Sequence, residues 1–210
     1  MDGILLDKLI ADILTNNYTN KNEKEYRLYL KYLEMSAYEN SLINQKIMYI
    51  AGIDEAGRGP LAGPVFASCV ILPPDYYLPG LDDSKKLSAQ KREYFFNEIN
   101  NHALSIGIGM VEVRDIDKYN IYECTKLAMI RAVFNSKIKP DHLLVDAIKL
   151  DIDISQTGII KGDKKSVSIA AAGIVAKVTR DRYMDKMDKI YPEYHFNTNN
   201  NAKPKMNEDG

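Results

Sequence analysis

Between residues 47 and 196, short apolar runs alternate with longer segments of helical period, and this alternation constrains the fold more than any other feature. Residues 47–53 are apolar and lead into Asp54. Residues 65–72 are rich in Val and Ile and are closed by Pro73 and Pro74. Residues 143–145 are apolar and end at Asp146. Runs this short and this apolar read as buried strands. A Gly-rich stretch over residues 103–113 reads as a further strand, and residues 158–160 as a short one. Ser88 reads as the cap of a helix running to about Asn100. Residues 122–135 form an amphipathic helix whose apolar positions include Cys124, Leu127, Ile130, Ala132 and Phe134, and residues 166–190 form a long helix. The expected architecture is a three-layer α/β domain around a mixed central sheet.

The flanks differ in character. Residues 1–46 read as a helical extension, its helices joined by a polar stretch over residues 15–22. Leu6, Leu9, Ile10, Ile13 and Leu14 recur at helical spacing, and so do Tyr26, Tyr29, Leu30, Leu33 and Ala37. Residues 197–210 are polar and aperiodic, the composition of a disordered tail. The expected division is therefore an extension over 1–46, a domain over 47–196 and a tail over 197–210.

Net charge is -1, so a nucleic-acid surface would have to be a local patch, not a property of the whole chain. The two cysteines, Cys69 and Cys124, have no metal-binding spacing and read as buried free thiols of a reducing compartment. No apolar run approaches the roughly 20 residues of a membrane span. Asp2 and Asp7 stand where a signal peptide would be basic. The expected setting is cytoplasmic, with no membrane partner.

The acidic residues carry the chemistry. Asp54 and Glu55 follow one apolar strand and open the turn Asp-Glu-Ala-Gly-Arg-Gly-Pro. Asp146 ends another strand, and Asp163 sits just before the long helix. Strand ends of an α/β sheet are where sites assemble. Carboxylates gathered there need cations to offset them. Hard oxygen ligands suit Mg²⁺ or Mn²⁺. Two such ions about 3.5–4 Å apart can clamp an in-line displacement at phosphorus. Taken one at a time, each Asp is more often a turn or cap residue.

Residues 49–65, Tyr-Ile-Ala-Gly-Ile-Asp-Glu-Ala-Gly-Arg-Gly-Pro-Leu-Ala-Gly-Pro-Val, resemble the opening motif of the ribonuclease HII family. Asp83-Ser84-Lys85-Lys86-Leu87-Ser88 is similar to the family's next motif. Leu144-Val145-Asp146-Ala147, Lys161-Gly162-Asp163 and the helix segment from Ala170 to Arg182 follow in the family's order. The resemblance implies a ribonuclease H-like fold and a metal site of Asp54, Glu55, Asp146 and Asp163. It implies hydrolysis of the RNA strand of RNA–DNA hybrids and cutting on the 5′ side of ribonucleotides embedded in duplex DNA. The products would carry 5′-phosphate and 3′-hydroxyl ends. A monomer using Mn²⁺ or Mg²⁺, two ions in the catalytic complex, is expected.

Asp181 is a rival fourth ligand. From a helix start near Ser166 it lies about 22 Å along the axis at roughly 1.5 Å per residue, too far to share a metal pair with Asp163, and a structural ion pair is expected of it. Gly57, Arg58 and Gly59 form either a tight turn or a place where backbone meets a 2′-hydroxyl. Ser84, Lys85 and Lys86 are expected to contact the substrate, the lysines holding phosphates. Lys161, Lys164 and Lys165 add a basic rim, and no histidine is given a role.

Two departures from the family stand out. Gly173 occupies a position where the family often has Ser. After Phe196 the family continues with a Lys-Gly-Tyr motif that helps recognise the junction, and no tyrosine follows Tyr194 here. The tail reads as truncated or frame-shifted, with weakened junction recognition expected. The alternatives are a catalytically impaired nucleic-acid-binding remnant, or another metal-dependent nuclease of the same fold.

Overall fold

A computed structural model describes residues 20–60, 62–74 and 76–196. The expected helix around Leu6–Leu14 and the expected disordered tail lie outside these residues. In chain order the elements are α1 (Asn20–Met35), α2 (Ala37–Asn44), β1 (Ile50–Ala56), β2 (Val65–Ile71), α3 (Ala89–His102), β3 (Ser105–Val111), α4 (Val113–Tyr119), α5 (Ile121–Phe134), β4 (His142–Asp146), β5 (Ser155–Ile159) and α6 (Val167–Ile190). Short 3₁₀ turns cover Gly162–Lys164 and Pro192–Tyr194.

The five strands form one mixed sheet in the order β3-β2-β1-β4-β5. β1 pairs antiparallel with β2 and parallel with β4, so it is central and both its neighbours bring residues to its end. Strand alternation then sorts side chains between two helical layers. Ala51, Ile53, Ala67, Cys69, Leu143 and Val145 face a core closed by Cys124, Ala128, Met129 and Val133 of α5. On the other face, Val70 packs with Phe95 and Ile99 of α3 and Ala171, Ile174 and Val175 of α6. This is the three-layer α/β arrangement with a mixed sheet that the alternation implied. Both cysteines are free and buried.

Local chemistry accounts for the helix starts. Ser88 accepts from the Lys91 amide and caps α3, as expected. Ser166 likewise accepts from the Ile169 amide at the start of α6. Asn120, with φ of 70°, accepts from the Tyr122 and Glu123 amides and separates α4 from α5.

Several expectations need correction. The run expected as one strand to residue 113 stops at Val111, and Val113 begins α4 instead. The polar stretch 15–22 does not reach its expected end as a linker, since Asn20 already begins α1. In α1 the side chains that join the core are Tyr32 and Met35, whereas Leu30 and Leu33 are exposed. In α5, Phe134 is 75% exposed and Val133 is buried in its place. Among the described residues no helix is long and apolar enough to cross a membrane.

Candidate functional site

β1 carries Gly52 and Asp54 on the face toward α6. A Cβ on Gly52 would land inside the backbone of Ser168, so strand and helix meet main chain to main chain. Farther along α6, a side chain at Gly173 would collide with the Asp54 carboxylate. The mid-helix glycine therefore leaves the notch that Asp54 occupies. It gives up about 0.5–1 kcal/mol of helix stability relative to Ala. Ser68, opposite Asp54 on β2, donates to the Ala172 carbonyl at 2.7 Å and pins the helix beside this notch.

Asp54, Glu55 and Asp146 converge, each offering a carboxylate oxygen within 4.8 Å of the others. The parallel pairing of β1 with β4 brings the two strand ends together. Asp54 accepts from the Glu55 amide at 2.7 Å, and Asp146 accepts from the Gly162 amide at 2.7 Å. Glu55 Oε2 is buried with no hydrogen-bond partner among the described residues. Buried polar oxygens are normally paired, so this orphan lone pair and its two carboxylate neighbours fit a divalent cation by donor type and crowding.

Asp163 stands apart. It lies on the 3₁₀ turn Gly162–Lys164 and is outside the mutually close trio. Its charge is nevertheless felt by Asp54, and it in turn interacts with Asp83, Asp146, Lys85 and Lys164. Asp83 is the residue that sequence reasoning passed over. It is a buried carboxylate that accepts from the Lys85 amide at 2.9 Å, and its motif position was the available signal.

Electrostatics follow from this crowding. Burial, then repulsion from Glu55 and Asp146, holds the Asp54 carboxyl well above the usual carboxylate range. Burial also raises Glu55, against the opposing pull of Arg58. Asp163 is raised by burial and by Asp83 and Asp146. The folded chain thus keeps protons that the unfolded chain has already released. Stability should fall as pH rises from the ordinary carboxylate range through these raised values. A bound divalent cation offsets the repulsion. Thermal melts are expected to show Tm falling with pH across that window without metal, and the gain in Tm on adding Mn²⁺ growing with pH. A metal-induced gain independent of pH would contradict this origin.

The Gly-Arg-Gly turn divides into two kinds of glycine. Gly57 has φ of 114°, and a Cβ there would meet the Pro64 carbonyl at 2.7 Å and Arg180 Nε at 2.8 Å. Its glycine is required internally. Gly59 has nothing among the described residues within 4 Å of a would-be Cβ. Arg58 lies exposed, 3.5 Å from Glu55. Arg180 is only 1% exposed and donates to the carbonyls of Pro64, at 3.2 Å, and Ala62, at 2.7 Å. It holds the loop after the turn against α6.

The lysines separate as well. Lys85 is felt by both Glu55 and Asp163. Lys86 instead reaches Asp82 at 3.4 Å, which also pairs with Lys31 of α1 at 2.7 Å. Ser84 gives its carbonyl to Arg92 at 3.1 Å. Asp181 makes the expected structural ion pair, with Lys177 at 2.7 Å. Its neighbouring arginines are engaged elsewhere, Arg180 with the loop and Arg182 with Glu93.

The family model described as Ribonuclease HII matches residues 51–206, passing Phe196 into the polar tail. A Bacillus cytotoxicus protein named Ribonuclease HII is 60% identical over 166 residues, which are 79% of this chain and 64% of that protein. A Bacillus cereus protein of the same name is 54% identical over 191 residues, 91% of this chain and 72% of the relative. The chain therefore spans less than two thirds of the length of the first of these relatives. Among solved structures, the ribonuclease H2 of Pyrococcus horikoshii is similar with a TM-score of 0.62 and 28% identity, over 70% of this chain and 79% of that one. The RNase HII of an Archaeoglobus fulgidus complex with PCNA gives 0.61 and 25%, over 75% and 84%. The motifs that these matches span are those that deliver Asp54, Glu55 and Asp146 to one point, and the chain belongs to the ribonuclease HII family.

Proposed function

We propose that this chain is a metal-dependent endonuclease that hydrolyses the RNA strand of RNA–DNA hybrids and cuts 5′ of ribonucleotides embedded in duplex DNA. The observation that carries this reading is the convergence of Asp54, Glu55 and Asp146, with Glu55 Oε2 buried and unpartnered among the described residues. Family membership supplies the substrate class. Asp54, Glu55 and Asp146 would hold the metal, with Asp163 completing the set from the adjoining turn. Divalent ions of the Mg²⁺ or Mn²⁺ type, when bound, supply activation of water and charge neutralisation at phosphate.

The remaining work falls to the chain's own groups. Gly59 leaves an open backbone edge that can approach a 2′-hydroxyl, the group that separates RNA from DNA. Gly57 and Arg180 keep that edge in shape from beneath. Arg58 and Lys85 place positive charge beside the carboxylates, where a phosphate would lie. Lys86, occupied by Asp82, would be free for phosphate only on releasing that pair. Products are expected to carry 5′-phosphate and 3′-hydroxyl ends. The test is a strand-labelled RNA–DNA hybrid: the RNA strand should be cut, the DNA strand left whole, and a chelator should stop the reaction. Cutting of both strands, or cutting that survives chelation, would refute the reading.

A further inference from the structure

Glu39 lies on α2, outside the span matched by the family model, yet its carboxylate is buried in the body of the domain. Its Oε1 accepts from Ser166 Oγ at 2.6 Å and from the Ser168 amide at 3.0 Å. Ser166 Oγ in turn accepts from the Ile169 amide at 3.1 Å. One carboxylate oxygen thus organises the first turn of α6, where amides lack helical partners and negative charge is favoured.

The place it grips is where site geometry is set. Ser168 is the residue whose backbone abuts Gly52, two residues before Asp54. The Ser166 amide donates to the Gly162 carbonyl at 2.9 Å, and the Gly162 amide donates to Asp146. The Asp163 turn, the Asp146 carboxylate and the start of α6 therefore share one hydrogen-bonded junction, and Glu39 holds it from outside. The second oxygen, Oε2, has no hydrogen-bond partner among the described residues, and the adjoining cavity of about 30 Å³ has room for a water.

We propose that Glu39 is a positioning residue for the carboxylate site, through its hydrogen bonds to Ser166 and Ser168. This rests on the metal-site reading above. Outer residues that orient metal ligands typically contribute about 10–100-fold in metal affinity or activity.

The test compares Glu39→Ala and Glu39→Gln with the parent chain, by Mn²⁺ titration followed as thermal shift and by kcat and KM on an RNA–DNA hybrid. Glu39→Ala is expected to raise the Mn²⁺ midpoint about tenfold and to lower kcat with KM little changed. Glu39→Gln should recover most of both, because its amide oxygen can still accept from Ser166 and Ser168. If Glu39→Ala does not fold, Glu39→Asp takes its place, with the same direction of change. Parent-like Mn²⁺ midpoint and kcat in Glu39→Ala would overturn the proposal, even if its Tm were lower, and so would a Gln variant as impaired as the Ala variant. A parent chain that neither binds Mn²⁺ nor cleaves would instead refute the metal-site reading itself.

Discussion

Asn in place of Asp54 is expected to abolish cleavage while leaving a folded protein. Asp54 sits centrally: it is buried, it faces the Gly173 notch, and it is repelled by Glu55 and Asp146. Asn retains an oxygen for the Glu55 amide but lacks the charge that a divalent cation requires. A rate loss on the order of a thousandfold or more, about 4 kcal/mol of barrier, is expected under Mg²⁺. Stability should move the other way. Without metal, the variant should melt no lower than the parent at and above the pH where the raised carboxyls ionise, because Asn removes one member of a crowd of groups that repel when charged. The measurement is a paired assay of turnover and metal-free Tm. Retained turnover under Mg²⁺ would show that Asp54 holds no essential metal.

The second large effect comes from a single methyl group. Gly52→Ala would place a Cβ inside the Ser168 backbone, so β1 and α6 would have to separate. Overpacking of this kind is expected to remove about 3 kcal/mol, a fall in Tm of roughly 6–12 °C for a domain of this size. Gly59→Ala is the matched control, since nothing among the described residues lies within 4 Å of its would-be Cβ. It should melt like the parent and, if the turn reads the 2′-hydroxyl, should be slower on hybrid. Equal stability losses in the two variants would contradict the contrast drawn between them.

How much of this was legible in the sequence varied with the kind of information. The apolar strands and the capped helices were, because burial and amide capping both act on residues near one another in the chain. Ser88 occupies the cap position its chemistry suggested, whereas Ser166, expected as the first residue of the long helix, caps it instead. β5 was legible only in part: its Ser-Gln-Thr-Gly run lies at the sheet edge and carries little apolar pattern. The stripe of α1 was misread because Leu30 and Leu33 have the right spacing, but tertiary packing selected Tyr32 and Met35.

The site divides in the same way. Asp54, Glu55 and Asp146 were legible because each lies at or near the end of a recognisable strand, although β1 runs through Asp54 and Glu55 to Ala56, and motif order linked them. The different fates of Lys85 and Lys86 were not, since the partner of Lys86, Asp82, is shared with a helix far back in the chain. Nor was Glu39, which reaches Ser166 across 127 positions. Gly173 looked like a lost hydroxyl and stands instead directly against the Asp54 carboxylate.

The most direct test uses a DNA duplex carrying one ribonucleotide and the same duplex without it, each incubated with the chain in Mg²⁺ or Mn²⁺. A single nick is expected on the 5′ side of the ribonucleotide, leaving a 3′-hydroxyl and a 5′-phosphate, with no cut in the all-DNA duplex. Equal cutting of both duplexes, or none of the ribonucleotide-bearing one under either metal, would contradict it.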